Sequence, residues 1–551
     1  MPQPAQACGG TFCDAGPQSM PVDQSGENIL FVRDGEDVEV HIQIRYDGEA
    51  ENFAWVIPLT AVPSFSIGSD ALFSNLLTGT VPSYGFNSTR ETCTDSRFDG
   101  GAQDDPSNGA GITSGAADSG GDGEDDGGPT IVLKETVGAF DIVVLEGGTA
   151  DEVVAWLDEN GYQQDPEATP ILEEYLAEGH LFGAIKLTGG ADVDQIHPIT
   201  LRYTGTELCV PLRLTRIAAV EDMDVRTFFL SDARMVPTNY RHVLVNPLKI
   251  DWLNFGANYK EVITAAVDAE HANGRAFVTE FAGPSNTVSS AGLYVAAWAP
   301  DDFRGATPGQ LPGILESQSL AFCNEWDGCQ LNHPLVGGVL GEFLQLPDGV
   351  SVEQFIDCPE CYTEGENAVA FDSEGFADAF DERIVGPGQH AEDLLQTHDY
   401  VTRLYTTISP HEMTEDPIFH AREDLDEVPN MRIADRRIRC SGDSVFNLPD
   451  GRQVFVPNGR DWPEFPAEMP WEEEVSEIPM AGAPMTLANN TEQIDAMLEA
   501  YNADAGFNAD GCGGCQIESK PSSEGRWAMG MAIVLIGAGL TLRRRRAATT
   551  L

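Results

Sequence analysis

The chain has 551 residues, 42% of them hydrophobic, which is long enough for two or three domains. Its 89 acidic and 31 basic side chains give a formal net charge of -58. This charge excludes a general nucleic-acid-binding surface, because the surface would repel phosphates. A well-solvated secreted surface is the favoured interpretation.

The first residues, MPQPAQAC, contain the triplet Ala5-Gln6-Ala7 directly before Cys8. An A-x-A triplet is typical of the end of a signal peptide. The basic and apolar regions that belong before such a triplet are missing, so we predict that residues 1–7 are a signal-peptide remnant. A lipoprotein box at Cys8 is the alternative, which Gln6 fits less well.

Apolar and polar side chains alternate within residues 29–59. Apolar residues from Val38 to Tyr46 occupy every second position, and polar residues such as Glu39 and His41 lie between them. A period of two predicts β-strands, and the sequences DGED and DGEAEN predict the turns.

Ten glycines and eight acids with no basic residue fill positions 99–128, a composition that predicts a disordered loop. Four residues in this loop resemble the opening of a calcium-binding loop: Asp122, Glu124, Asp126 and Gly127. The glutamate that should complete the calcium loop is replaced by Leu133. A solvated linker without a bound cofactor is therefore favoured, and calcium binding is the alternative.

Two helices are predicted after this loop. Residues 149–161 begin with a capping box at Thr149 and end at Gly161, and residues 169–179 end at Gly179. Strand-like sequences follow both helices.

The last third of the chain contains three segments of different composition and periodicity. The stretch 351–396 is rich in helical signals, and residues 400–408 alternate as a strand does. Proline and acidic residues are dense over 446–485, so we predict an extended stalk over 446–511.

Eleven cysteines fit an oxidising compartment. The sequences CNEWDGC (323–329) and CPEC (358–361) form the closest cluster. Zinc binding and thiol redox chemistry are the alternatives, but the first spacing is poor for zinc and no strand-then-helix pattern precedes CPEC. Disulfides are favoured, with the pairing left open, and the candidates are Cys8, Cys13, Cys323, Cys329, Cys358 and Cys361.

An uncharged apolar run from Trp527 to Leu542 precedes four arginines near the C-terminus. As a helix it would be about 24 Å long, and snorkelling arginines can extend it to span a bilayer. A buried globular helix is the alternative, but it would leave the arginines stranded in a core. We therefore predict a transmembrane span over 527–542 and a cytoplasmic stop signal at Arg543, Arg544, Arg545 and Arg546.

The whole tail, residues 512–551, resembles the MYXO-CTERM sorting signal. It has a short Gly/Cys motif around Cys512 and Cys515, a polar spacer, an apolar span and an arginine cluster. The resemblance implies cleavage by a membrane-bound sorting protease near a tail cysteine, which leaves the body at the cell surface. Cys515 is favoured because it lies nearest the spacer, and Cys512 is the alternative.

A second resemblance covers roughly residues 8–435. The segments CGGTFC, PVDQSGENILF, HIQIRYDGEAENFAWVIPL, WLDENGY, PLRLTRIAA, FVTEFAG and TRLYTTISPHEMTEDPIF are similar to domain of unknown function 2330, a family of exported bacterial proteins. The resemblance implies export and a β-rich fold. It implies no catalytic residue, because none is established for the family.

Catalytic motifs are incomplete in this sequence. His411-Glu412 begins like the zinc-protease motif H-E-x-x-H, but Glu415 stands where the second histidine belongs. Gly442-Asp443-Ser444 resembles the start of a GDS-type esterase motif, yet the three residues are ordinary turn chemistry. The ten histidines are scattered without helix-spaced pairs, so core or surface histidines are the default interpretation.

These features predict an α+β, β-rich and sandwich-like exported domain with inserted helices over 8–300, and a helix-containing, cysteine-bearing region over 301–445. The stalk, the transmembrane helix and the sorting tail follow. The favoured function is a non-enzymatic binding or structural role at the cell envelope, with the body outside the cytoplasm and an unknown surface ligand. An extracytoplasmic hydrolase or calcium-binding enzyme, whose site forms only in the fold, is the alternative.

Overall fold

The computed structural model describes residues 27–43, 53–92, 128–162, 168–188, 196–217, 219–324, 328–362 and 368–507. The strands are β1 (Glu27–Asp34), β2 (Asp37–Gln43), β3 (Ala54–Leu59), β4 (Ser64–Ile67), β5 (Ser83–Arg90), β6 (Thr130–Val137), β7 (Phe140–Glu146), β8 (Leu181–Leu187), β9 (Ile199–Thr204), β10 (Leu208–Cys209), β11 (Met223–Ser231), β12 (Arg234–Pro237), β13 (Arg241–Val245), β14 (Ala276–Pro284), β15 (Ala321–Asn324), β16 (Gly328–Leu331), β17 (Tyr400–Ile408), β18 (Ile418–Arg422), β19 (Met431–Ile438), β20 (Ser444–Asn447), β21 (Gln453–Val456), β22 (Glu472–Glu477) and β23 (Met485–Asn489). The helices are α1 (Asp70–Thr80), α2 (Ala150–Glu159), α3 (Ala168–Glu178), α4 (Leu212–Thr215), α5 (Tyr259–Val267), α6 (Leu311–Ser317), α7 (Val336–Phe343), α8 (Val352–Asp357), α9 (Ser373–Phe380), α10 (Gly386–Thr397) and α11 (Thr491–Asp504).

A mixed sheet organises the described residues. Its ten strands lie in the order β23-β22-β13-β14-β17-β11-β1-β2-β9-β4. The pairs β1–β11 and β13–β14 are parallel, and β2 is antiparallel to both of its neighbours, β1 and β9. Strand β2 is thus an interior strand of the sheet.

Both faces of this sheet are covered. On one face, Leu30 and Val32 of β1 pack with residues of α1 and α10. On the other face, Ile29 and Phe31 of the same strand pack with residues that include Phe419 of β18, which belongs to the small sheet β10-β18-β12. Residues 27–32 of β1 are therefore buried.

Smaller sheets flank the large one. The sheet β3-β8-β7-β6 packs one face against α2 and α3, and its other face against residues of β4 and β9. The sheet β21-β20-β19-β5 shares a core with α5, α11, β13 and β22. Helices α6–α9 surround a further apolar core of their own.

The predicted β-rich α+β class is confirmed, and so are the two helices with explicit termini. Thr149 caps α2 with both hydrogen bonds of a capping box present, and Gly161 adopts φ +78° just after the helix. Helix α3 is followed by Gly179 at φ +88°, a left-handed conformation that glycine adopts without strain.

The extended stalk predicted over 446–511 is wrong for residues 446–504. These residues contain β21, β22, β23 and α11, and Met469 and Ile494 are fully buried. Trp462 is also buried, and its indole N–H donates to the carbonyl of Leu248 at 2.8 Å. Large apolar residues spaced between the prolines fill a core, which a local count of proline and acid does not reveal.

Several predictions fall on residues outside the described ranges. These are the signal remnant 1–7, nearly all of the acidic loop, the sorting tail and the predicted span 527–542. Among the described residues, none of the helices has the length and apolar character that crossing a membrane requires.

Candidate metal centre

Two polar side chains of β2, Glu39 and His41, lie on one face of the ten-stranded sheet, because side chains two positions apart on a strand point the same way. In the pairing with β1, Glu39 lies opposite Val32 and His41 lies opposite Leu30. Those two apolar residues belong to the core under α1 and α10. Glu39 and His41 therefore face the helices.

Helix α10 brings His390 to the same face of the sheet. The helix follows a π-helical turn, Asp381–Val385, and has Pro387 in its first turn. Such turns occur frequently at functional sites. Ala391 and Leu394 pack into the core beneath the helix, and this packing holds the neighbouring His390 beside β2.

One carboxylate oxygen joins the three side chains. Glu39 Oε1 lies 2.7 Å from His41 Nε2 and 2.5 Å from His390 Nε2. The two imidazole rings are nearly parallel, with 17° between their planes and 5.9 Å between their centroids. One potential ligand atom from each of the three residues lies within 4.8 Å of the other two, which is close enough for all three to hold one metal ion. Among the residues that the structure describes, Glu39, His41 and His390 form the group that meets this condition.

The cluster is enclosed on the sheet side and open on the helix side. The side chains of His41 and Glu39 are 2% and 6% exposed, whereas that of His390 is 44% exposed. Solvent and small solutes can therefore approach the cluster past His390.

The histidines control the charge of Glu39. Burial acts to raise the pKa of Glu39, but the hydrogen bonds from His390 and His41 outweigh burial and hold the pKa well below its usual range. The hydrogen bond to Glu39 also raises the pKa of His390 above its ordinary value, against the effect of burial. Glu39 is thus an ionised carboxylate, the form that ligates a cation.

Strand β9 supplies two further contacts. Thr200 Oγ1 lies 3.0 Å from His41 Nδ1, the ring nitrogen that points away from Glu39. Arg202 places one guanidinium nitrogen 3.4 Å from Glu39 Oε2 and also pairs with the exposed Asp34 and Asp37. The second oxygen of Glu39 is therefore held on the side away from the histidines.

Two imidazole nitrogens and one carboxylate oxygen form a ligand set found in zinc sites and in non-haem iron sites with open positions. Nitrogen ligands favour such metals over calcium and magnesium, which prefer oxygen. Around a tetrahedral zinc ion, ligand atoms would stand roughly 3.3 Å apart. The observed contacts of 2.5 and 2.7 Å are hydrogen bonds, so ion binding requires the side chains to separate by less than about 1 Å.

The cysteine cluster predicted from the sequence consists of two local disulfides. Cys323 pairs with Cys329 across the β15–β16 hairpin, with 4.0 Å between their Cα atoms. Cys358 pairs with Cys361, with 5.4 Å between their Cα atoms. The structural disulfides that the sequence favours are therefore present, in one of the three possible pairings.

Two further cysteines, Cys209 and Cys440, lie in the part of the chain that the structure describes. Cys440 is also disulfide-bonded, and Cys209 is a free thiol whose pKa is raised by burial. The other predicted processing and disulfide residues, together with the four tail arginines, lie outside the described residues: Cys8, Cys13, Cys512, Cys515, Arg543, Arg544, Arg545 and Arg546.

Of the two incomplete catalytic motifs, His411-Glu412 lies in a turn, and Gly442-Asp443 lies in the turn before β20, which begins at the buried Ser444. Glu412 accepts a hydrogen bond from the backbone N–H of Ser409 at 2.8 Å. Gly442 adopts φ +90°, and Asp443 accepts from the hydroxyl of Ser441. These are the local contacts expected of turn residues.

The Glu-His-His cluster is absent from the sites predicted from the sequence. His41 and His390 have no histidine partner at helical spacing, so both fall under the default interpretation as core or surface histidines. The available signal was Glu39-x-His41 on a strand whose other face is apolar, since two ionisable residues on one face of an interior strand need partners. No local pattern identifies His390, which lies 351 positions beyond Glu39.

The fold and the cluster define a β-rich α+β protein with a Glu-His-His group between a sheet and a helix, in which Glu39 and His41 are buried and His390 is exposed. The chain belongs to the family described as "Uncharacterized protein conserved in bacteria (DUF2330)", whose model matches residues 2–420. All three cluster residues lie inside that match.

The chain was also compared with curated proteins and with solved structures. No curated protein matches the chain. A crystal structure of a mutated baculovirus P35 after caspase cleavage is similar at 9% identity, over 41% of this chain and 80% of that chain, with a TM-score of 0.22. Agreement at this level carries no argument about fold or function.

Proposed function

We propose that this protein is exported, is anchored at the cell envelope, and binds a divalent transition-metal ion through Glu39, His41 and His390. The observation that carries the metal proposal is the convergence of two Nε2 atoms and one carboxylate oxygen between β2 and α10. The ionised state of Glu39 supports it further, because a carboxylate ligates a cation in its ionised form. A binding role agrees with the non-enzymatic function favoured by the sequence.

Zinc is the probe for the test. The full chain, stripped with a chelator and dialysed against zinc, should retain one equivalent by elemental analysis and show saturable binding by calorimetry. His390→Ala and Glu39→Gln should each lower the affinity by at least about tenfold. His411→Ala is the matched control, because His411 is exposed, lies in a turn and is not a member of the cluster.

Equal zinc affinity in the wild type, His390→Ala and Glu39→Gln would show that zinc binds elsewhere. Absence of saturable binding in the wild type would leave Glu39, His41 and His390 as a hydrogen-bonded structural group. Either result contradicts the proposed site.

Export is supported by the disulfides. Cys323–Cys329 and Cys358–Cys361 are both oxidised pairs, and disulfides persist in compartments outside the cytoplasm. Alkylation of the protein from intact cells, followed by mass spectrometry without reduction, should find both pairs blocked. Free thiols at these positions in the native protein would contradict export.

Anchoring rests on the predicted span 527–542 and on the arginines after it. Replacing Arg543, Arg544, Arg545 and Arg546 with neutral residues should leave the body folded but misplace it, because the stop and orientation signal is lost. Cell fractionation measures the location, and mass spectrometry of the mature C-terminus measures cleavage near Cys515. Normal surface amounts of the altered protein, or mature protein that keeps the arginines, would contradict sorting.

A metal-dependent hydrolase is the second candidate function. The observation that favours it is the exposed edge at His390, because three protein ligands leave a coordination position for water, as in catalytic zinc sites. Zinc-dependent hydrolysis of an activated ester, lost in Glu39→Gln and retained in His411→Ala, would support this candidate. Binding without turnover would leave the protein a metal-binding protein.

A further inference from the structure

Thr200 is the residue of β9 that lies directly across from His41 of β2. Its side chain is buried, and its Oγ1 stands 3.0 Å from His41 Nδ1. His41 therefore has both ring nitrogens engaged, Nε2 with Glu39 and Nδ1 with Thr200. These two contacts fix the plane of the ring and keep Nε2 directed at Glu39 Oε1, the oxygen that His390 also contacts.

The proton on His41 must sit on different nitrogens in the two states of the site. In the hydrogen-bonded cluster, Glu39 Oε1 accepts from Nε2–H, so a neutral His41 accepts the Thr200 hydroxyl at Nδ1. A metal ion needs the lone pair of Nε2, so Nδ1 must then carry the hydrogen and donate it. A hydroxyl serves both states because it can donate and accept, whereas a backbone carbonyl serves the second state alone.

We infer that Thr200 is a positioning residue for metal binding: its hydroxyl orients His41 and accepts the Nδ1 hydrogen when Nε2 ligates the ion. The inference rests on the proposed function, since it assigns a role to Thr200 in the same site. Partners of this kind typically change metal affinity by about 10- to 100-fold when they are removed.

A packing role for Thr200 makes a different prediction. Thr200 and valine have nearly the same shape, and both are β-branched and suited to a strand. If Thr200 only fills space in the sheet, valine replaces it without effect on the metal. If the hydroxyl matters, serine preserves the affinity and valine does not.

The experiment compares zinc affinities of the full chain by competition with a chromogenic chelator. Thr200→Val should bind zinc about 10- to 100-fold more weakly than the wild type, and Thr200→Ser should lie within about threefold of it. Thr227→Val is the matched control, because Thr227 is a buried threonine of β11 whose hydroxyl has no hydrogen-bond partner within the described residues. It should bind zinc as the wild type does.

Two further measurements keep the outcomes distinct. The denaturation midpoint of the metal-free variants separates lost affinity from lost folding, and Thr200→Ala replaces Thr200→Val if the valine variant does not fold. Visible spectra of the Co²⁺-loaded proteins report the geometry at the ion, which should change in Thr200→Val and not in Thr227→Val. Equal zinc affinities and equal Co²⁺ spectra in the wild type and Thr200→Val overturn the role of Thr200 while the metal site stands. Absence of zinc binding in the wild type overturns both.

Discussion

Glu39 Oε1 on β2 lies 2.5 Å from His390 Nε2 on α10, although 351 positions separate the two residues in the chain. The contact ties an interior strand of the large sheet to a helix that covers it. A metal ion at this point would bridge the same two elements, so occupancy of the site should be visible in the stability of the whole fold.

The first prediction concerns zinc and unfolding. Free zinc at a hundredfold excess over Kd should stabilise the wild-type protein by about 2.7 kcal/mol, because the ion binds the folded state and not the unfolded chain. Thermal unfolding with and without zinc measures this shift, and a chelator should reverse it. At the same zinc concentration, His390→Ala should show at most about half of this shift and His411→Ala should show all of it, whereas an equal shift in both variants would place the stabilising ion elsewhere.

The second prediction concerns Gly138, which lies in the turn between β6 and β7. A Cβ at this position would meet His197 Nε2 at 2.1 Å, and the backbone has φ +56°. Gly138→Ala should cost about 1–2 kcal/mol for the backbone conformation and at least about 1 kcal/mol more for the steric clash. Denaturant unfolding measures the loss.

Gly147 provides the matched control for this substitution. It has φ +72°, and no atom of a neighbouring residue lies within 4 Å of the position that a Cβ would take. Gly147→Ala should therefore show the backbone cost alone. Similar losses in the two variants would mean that the His197 ring moves aside without cost.

Elements whose sequence signals lie within one short segment could be predicted from the sequence. Features that depend on contacts between residues far apart in the chain could not. Helix α2 was predictable because its capping box at Thr149 and its stop at Gly161 lie within one short segment. The burial of Trp462 was not, because it depends on Leu248, 214 positions earlier. The Glu39-His41-His390 cluster falls between these cases, since Glu39 and His41 are visible in the strand pattern and His390 is not.

The third prediction concerns acid stability and His242 on β13. Burial and the guanidinium of Arg234 lower the pKa of His242 to about 3. The unfolded chain, with an ordinary histidine pKa near 6.5, binds this proton first as the pH falls. Stability should therefore be unaffected by His242 above about pH 6.5 and should fall by about 1.4 kcal/mol per pH unit below it, down to about pH 3.

Urea unfolding at neutral pH and at about pH 5 isolates this effect through two variants. His242→Gln removes the titrating group and should lessen the loss of stability on acidification by about 2 kcal/mol. His411→Gln removes an exposed histidine and should leave the loss as in the wild type. Identical pH dependence in the wild type and His242→Gln would contradict the neutral state of His242 in the folded protein.

The last prediction concerns the ion pair between Glu280 of β14 and Arg403 of β17. Arg403 donates to Glu280, and the two side chains are 4% and 2% exposed. Arg403 also donates to the carbonyl of Leu77 at 3.2 Å, which links the pair to α1. Breaking a buried pair leaves one charge without its oppositely charged partner, so Arg403→Met and Glu280→Leu should each cost about 3–5 kcal/mol.

The double variant Arg403→Met/Glu280→Leu shows whether the cost of each single substitution comes from the lost ion pair or from the unpaired charge that remains. With both charges removed, apolar side chains fill the space and neither member of the pair is left without the other, so the loss should be much smaller than the sum of the two single losses. Chemical denaturation of the four proteins measures the cycle. Glu415→Ala, which breaks the more exposed pair with Arg275, should change the free energy of unfolding far less. Additive losses in the Glu280–Arg403 cycle would show that the two side chains stabilise the sheet independently.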